Sequence, residues 1–312
     1  MRAQENPQPL VATGPEVVAV EMPNRVNLGT IVVATDFSPA SDRALNYALA
    51  IARRYDSHIY VVHAIRPDLY TLTPPEASVG MVELVHQAAE QEMAELLISG
   101  RLREVPHQVM IEEGDVWDVL SRMANLHNAD LVVLGTHGRT GFEKMFLGSM
   151  AERVFRLSKV PVLTVGPGAP QTAPVEVEVK NIVYATDFSE NSRRALPYAL
   201  SLAEEHQASL TLLHVVENAQ ELSPATTQGL RESFTERLEG MLPPGSDLWC
   251  YPKSAVNFGV AVEQILQTCD SAKADLLVLG IRGGGVAMGH SPAARAYQIV
   301  SQATCPVLTV RG

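Results

Sequence analysis

Residues Ile31–Ala52 read IVVATDFSPASDRALNYALAIA, and residues Ile182–Ala203 read IVYATDFSENSRRALPYALSLA. The two stretches are one piece of protein written twice. Asp36 matches Asp187 and His63 matches His214 at the same offset, 151 residues. Farther on, ADLVVLGTHG (Ala129–Gly138) returns as ADLLVLGIRG (Ala274–Gly283), and PVLTV at Pro161–Val165 returns at Pro306–Val310, both at an offset of 145. The second copy has therefore lost six residues between its second and fourth strands. Three echoes in the same order mark a tandem duplication.

Each copy alternates strand and helix. In the first, TIVVAT is a short β-branched run ending at Asp36, and Ser38-Pro39 opens a helix with proline in its first turn. Ala44, Leu45, Ala48, Leu49 and Ala52 share one face of that helix at spacings of three and four. HIYVVHAI, HQVMI, LVVLG and VPVLTV supply the further strands, with helices between them. This alternation predicts an α/β chain of two tandem doubly wound domains, each a five-stranded parallel sheet flanked by helices. The boundaries fall at a loose N-terminal arm over 1–27, a first domain over 28–166, a Pro/Gly-rich linker over 167–179 and a second domain over 180–312.

Composition narrows the functions. A hydrophobic content of 46% in 312 residues is enough for two cores, and with aromatics at 5% those cores must be aliphatic, as buried parallel strands require. A net charge of −11 disfavours nucleic acid and anionic lipid as partners. No stretch approaches the roughly 20 apolar residues of a membrane helix, and the proline-bearing arm lacks a secretory apolar segment. Cys250, Cys269 and Cys305 form no C-x-x-C pair or zinc-ligand spacing, so they read as free thiols. The expectation is a soluble cytoplasmic protein.

Open parallel sheets bind ligands beyond the carboxyl ends of their strands, where the winding reverses. The first copy places Thr35-Asp36-Phe37 after strand one and Gly135–Ser149, GTHGRTGFEKMFLGS, after strand four. The second loop is G-x2-G-x9-G-S. Gly135 and Gly138 leave room for close backbone approach to a ligand. Gly148 and Ser149 open a helix, whose unpaired amides and dipole favour a phosphate. The Ser149 hydroxyl serves either a phosphate oxygen or the helix cap.

This loop, with ATDFS, the strand-two VVHAI and the closing PVLTV, resembles the universal stress proteins, which hold ATP with G-x2-G-x9-G-(S/T). The resemblance runs from Leu28 to Arg311, twice over, and implies an adenine nucleotide alpha hydrolase-like fold. It implies that Asp36 lies at the ribose or a bridging metal, with Ala34 near the adenine and the backbone of Ala64 at the adenine edge. Gly135, Gly138, Gly148, Ser149 and Met150 would wrap the ribose and phosphates of ATP, ADP or AMP, with Mg held through the nucleotide. His137 and Arg139 lie inside the loop, where Arg139 would neutralise phosphate charge. The second copy keeps Asp187, Val215, Gly280 and Gly283 but ends the motif on Ala293-Ala294, losing the hydroxyl and placing a Cβ at the phosphate end.

Plainer roles stand beside these. Asp36 and Asp187 either contact a ligand or cap the following helices, and His63 and His214 read as hydrogen-bonded core histidines. The P-loop ending, the nucleophile elbow, H-E-x-x-H and G-x-G-x-x-G do not occur in the sequence. Three functions stay open: an ATP-dependent stress sensor or scaffold, a weak Mg-dependent ATPase, and an interaction module with a vestigial pocket. The final PVLTV of each copy would be an exposed edge strand. In the resembled family such strands pair between two domains, so the expectation is that copy one pairs with copy two, with a further homodimer through other surfaces.

Overall fold

The structure, a computed structural model, describes residues 26–66, 75–136, 149–170, 178–217, 223–245, 251–281 and 292–311. The first half contains β1 (Thr30–Ala34), α1 (Pro39–Tyr55), β2 (His58–Ile65), α2 (Pro75–Ile98), β3 (His107–Glu113), α3 (Val116–Leu126), β4 (Leu131–Gly135), α4 (Ser149–Leu157) and β5 (Val162–Val165). The second contains β6 (Asn181–Ala185), α5 (Glu190–His206), β7 (Ser209–Val216), α6 (Pro224–Glu239), β8 (Tyr251–Phe258), α7 (Ala261–Ala272), β9 (Leu276–Ile281), α8 (Pro292–Gln302) and β10 (Val307–Arg311). Within each half the five strands are parallel, in the order β3-β2-β1-β4-β5 and β8-β7-β6-β9-β10. The winding reverses between β1 and β4, and again between β6 and β9.

The helix starts follow from local chemistry. Ser38 is the N-cap of α1, its hydroxyl accepting from Ser41 N, and Pro39 follows at a position whose N–H has no helical partner. Ser189 caps α5 in the same way. Side chains alternate across the sheet. Ile31 and Val33 pack with α1 on one face, while Val32 packs with α3 and α4 on the other. Both apolar layers run on into the second half, through Leu163 and Leu308 on one face and Val162 and Val307 on the other.

The continuity comes from an antiparallel seam between β5 and β10, pairing Thr164 with Val307, Leu163 with Leu308 and Val162 with Thr309. Leu163 and Leu308 hold the same register in the repeat, so they sit on a local twofold axis. Around it the Thr164 hydroxyl donates to Val307 O at 3.1 Å, and Thr309 donates to Val162 O at 3.2 Å. Val132 N bonds Pro161 O and Thr136 N bonds Val165 O, so the odd residues of β5 serve β4 and the amides of Val162 and Thr164 face β10.

Other contacts cross the seam. The Tyr55 hydroxyl lies 2.9 Å from Ser201 Oγ, and Arg311 donates to the carbonyls of Arg156 and Leu157 at the end of α4. Burial, then Asp275, pushes the Tyr47 phenol up to about 12, and burial with Asp130 raises its repeat mate Tyr198. The described ends of the linker are packed, with Ala169 and Val179 buried. A Cβ on Gly168 would stand 2.9 Å from Thr304 Cα. Cys269 and Cys305 are buried and free, while Cys250 lies outside the described residues. Among the described residues, no helix is long and apolar enough to cross a membrane.

Candidate functional site

The turn after β1 is built by short side chains. Thr35 Oγ1 accepts from Phe37 N at 3.0 Å and Asp36 Oδ1 from Ser38 N at 3.1 Å, which holds Phe37 in the left-handed region at φ 59°. The second half repeats it: Thr186 accepts from Phe188 N and Asp187 from Ser189 N, both at 2.9 Å, with Phe188 at φ 60°. Each aspartate therefore organises the turn, while the serine two residues on is the helix cap. Burial alone would raise the Asp187 carboxyl, but hydrogen bonds from Ser189 and Ser192 outweigh it and hold the pKa below its ordinary value. His63 Nδ1–H donates to Thr35 O at 2.8 Å, and His214 Nδ1–H to Thr186 O at 2.9 Å, tying the end of the second strand to this turn.

Each turn borders a cleft of about 180 Å³ at the carboxyl ends of the strands. In the first half it brings together Ala34, Asp36, Ala64, Gly135 and Met150, with Val62, Leu120 and Leu134 as apolar wall. In the second it brings together Ala185, Asp187, Val215 and Gly280, with Leu213, Ile265 and Leu279. Ser149 begins α4. His137, Gly138, Arg139, Gly148 and Gly283 lie outside the described residues.

The first motif glycine has a second reason to be glycine. A Cβ on Gly135 would meet the carbonyl carbon of Ala40 at 2.8 Å, and one on Gly280 would meet Asn191 O at 2.1 Å. The close approach at both positions is to the first turn of the helix that follows the first strand of each half, α1 or α5, whatever a ligand adds.

The mouths differ more than the floors. In the first half Asp115 caps α3, its Oδ1 accepting from Trp117 N at 3.0 Å and from Arg153 at 2.8 Å. In the second half Val260 holds that position and α7 has no side-chain cap. Glu217, just past β7, takes over: one oxygen accepts from Ala261 N at 3.2 Å and the other from Arg295 Nη1 at 2.7 Å. Arg295 stands where the first half has Met150, and Glu217 where it has Arg66. α8 also begins on Pro292, which has no N–H to offer. Glu217 and Arg295 both line the second cleft. Motif reading passed over them, though the constant offsets expose both exchanges. Among the described residues, no group of three or more His, Cys, Asp or Glu is placed to hold a metal ion.

A sequence model of the universal stress protein family matches residues 27–166 and again 178–311. The chain belongs to the universal stress protein family. Similar members include a universal stress protein of Methanocaldococcus jannaschii, 31% identical over 136 residues, 43% of this chain and 80% of that one. One from Mycobacterium bovis is 24% identical over 319 residues, 92% of this chain and 96% of its own. Among solved structures, a universal stress protein of Archaeoglobus fulgidus superposes with a TM-score of 0.68 at 21% identity, covering 92% of this chain and 99% of that one. That likeness places the tandem α/β fold.

Proposed function

We propose that this universal stress protein binds an adenine nucleotide, ATP with Mg, in its first domain and acts as a nucleotide-dependent sensor or scaffold in the cytoplasm. The observation that carries the reading is the first cleft, where Asp36, Ala64, Gly135 and the first turn of α4 converge at the switch point of the sheet. Val62, Leu120 and Leu134 offer apolar walls to a purine, with Ala34 beside it and the Ala64 backbone at its polar edge. Asp36 accepts the ribose hydroxyls or holds the nucleotide's metal. By the family motif, Gly148, Ser149 and Met150 serve the phosphates at the start of α4, with His137, Gly138 and Arg139 belonging to the same motif in the sequence. Mg, when bound, neutralises phosphate charge. The β5–β10 seam lets the tandem chain serve as its own dimer, and other surfaces remain for a homodimer.

The test is the nucleotide content of purified, heat-denatured protein, with thermal unfolding in Mg-ATP, repeated on Gly148→Ala/Ser149→Ala. Intact ATP recovered from the parent and lost from the variant supports a binding protein over an ATPase. No nucleotide and no thermal shift in the parent sinks the reading.

A further inference from the structure

We infer that the second cleft is a site for an uncharged adenine nucleoside, with the Glu217–Arg295 pair excluding the phosphate chain. The inference extends to the second cleft the adenine-site reading proposed for the first. The floor of the second cleft keeps what recognises a nucleoside: Asp187 on the turn after β6, Val215 on β7 and an apolar wall, at the same volume of about 180 Å³. Its mouth is of a different character. Where the first domain has Arg66 and Met150, the second has Glu217 and Arg295, joined at 2.7 Å. The other Glu217 oxygen already takes the Ala261 N–H at the start of α7. A polyphosphate entering here meets an arginine whose charge is already matched by Glu217, so the pair offers it no net positive charge and sets a carboxylate beside it. The motif's closing Gly148-Ser149 is Ala293-Ala294 here, so the hydroxyl that would meet a phosphate is absent from the sequence. A neutral ribose end meets none of these penalties.

The two clefts report separately. Ile265 and Ile299 line the second cleft, where the first domain has Leu120 and Val154, and Met150 lines the first. The full chain, labelled at isoleucine and methionine methyl groups, is titrated with adenosine and with Mg-ATP by NMR. Adenosine is expected to shift the Ile265 and Ile299 signals with an affinity about ten-fold tighter than ATP does. Glu217→Gln narrows that ratio, and Glu217→Arg/Arg295→Met reverses it. If the double variant fails to fold, Glu217→Gln alone decides. ATP binding there as tightly as adenosine, no response to either, or an unchanged ratio in the folded variants overturns the inference. A Met150 signal indifferent to ATP, with the isoleucine pattern intact, removes the first-domain reading and leaves this one standing.

Discussion

Behind the first cleft, α3 receives its capping carboxylate from Asp115 at its own N-terminus, with Arg153 as counter-charge. Behind the second, α7 begins after Val260 and receives a carboxylate from Glu217 across the mouth, with Arg295 as counter-charge. Both helices satisfy the same need, since their first amides lack helical partners and the dipole favours an anion. Only the first arrangement keeps the negative charge out of the entrance. Losing one cap residue is thus coupled to a charged pair placed at the lining of the neighbouring pocket.

The largest test of how the halves depend on each other is Thr164→Pro with Thr309→Pro, which removes amides that face across the seam. Calorimetry is expected to resolve two unfolding transitions in place of one, and cross-links between α1 and α5 should disappear. Persistent cross-links would show that helix packing alone holds the halves together. Next come the paired glycines. Gly280→Ala forces a Cβ to 2.1 Å from backbone and should cost more than Gly135→Ala, where the contact is 2.8 Å. The second falls in the range of about 1–3 kcal/mol for overpacking, and the first exceeds it, by denaturant unfolding. Equal losses would mean that α5 yields as easily as α1.

The aspartates separate the clefts by ligand. At about 100 times its dissociation constant, ATP stabilises the protein by about 2.7 kcal/mol; Asp36→Ala is expected to abolish that shift and Asp187→Ala to preserve it. Val260→Asp should restore a local cap to α7 and add about 1 kcal/mol. It should also weaken the hold of the helix on Glu217, seen as tighter ATP binding at the second cleft.

The smallest effect is a pH dependence. His206 repeats the position of Tyr55, but where Tyr55 bonds Ser201, His206 lies by Ala50, Arg53, Arg54, Glu178 and Lys180. Burial, then Arg54, lowers its pKa from 6.5 to about 4. The unfolded chain binds the proton first, so stability is full above 6.5 and declines as pH falls toward 4. His206→Gln should flatten the melting temperature across that window; an unchanged slope would assign it to carboxylates.

The fold was legible because its determinants are local. The alternation of Ile31, Val32 and Val33 and the spacing of Ala44, Leu45 and Ala48 encode which faces are buried, and the repeat shows the pattern twice. The floor of each cleft was legible, through Asp36, Ala64 and Gly135 in the first and Asp187, Val215 and Gly280 in the second. Two things were not. Spacing cannot say which backbone a Cβ on Gly135 would strike, because Ala40 approaches it only after folding. Nor do Glu217 and Arg295 belong to any motif. They lie 78 residues apart and meet because the ends of β7 and α8 converge.

The antiparallel seam also sets a schedule. β5 is complete when the ribosome has made residue 165, but its partner in β10 lies 143 residues later, as Thr164 and Val307 are counted. At about 5–20 residues per second that interval is roughly 7–30 s. For that time the nascent first domain presents a bare strand edge of apolar composition, the surface that invites pairing with another chain. A dimer that exchanged β10 would be built from the same seam as the closed monomer.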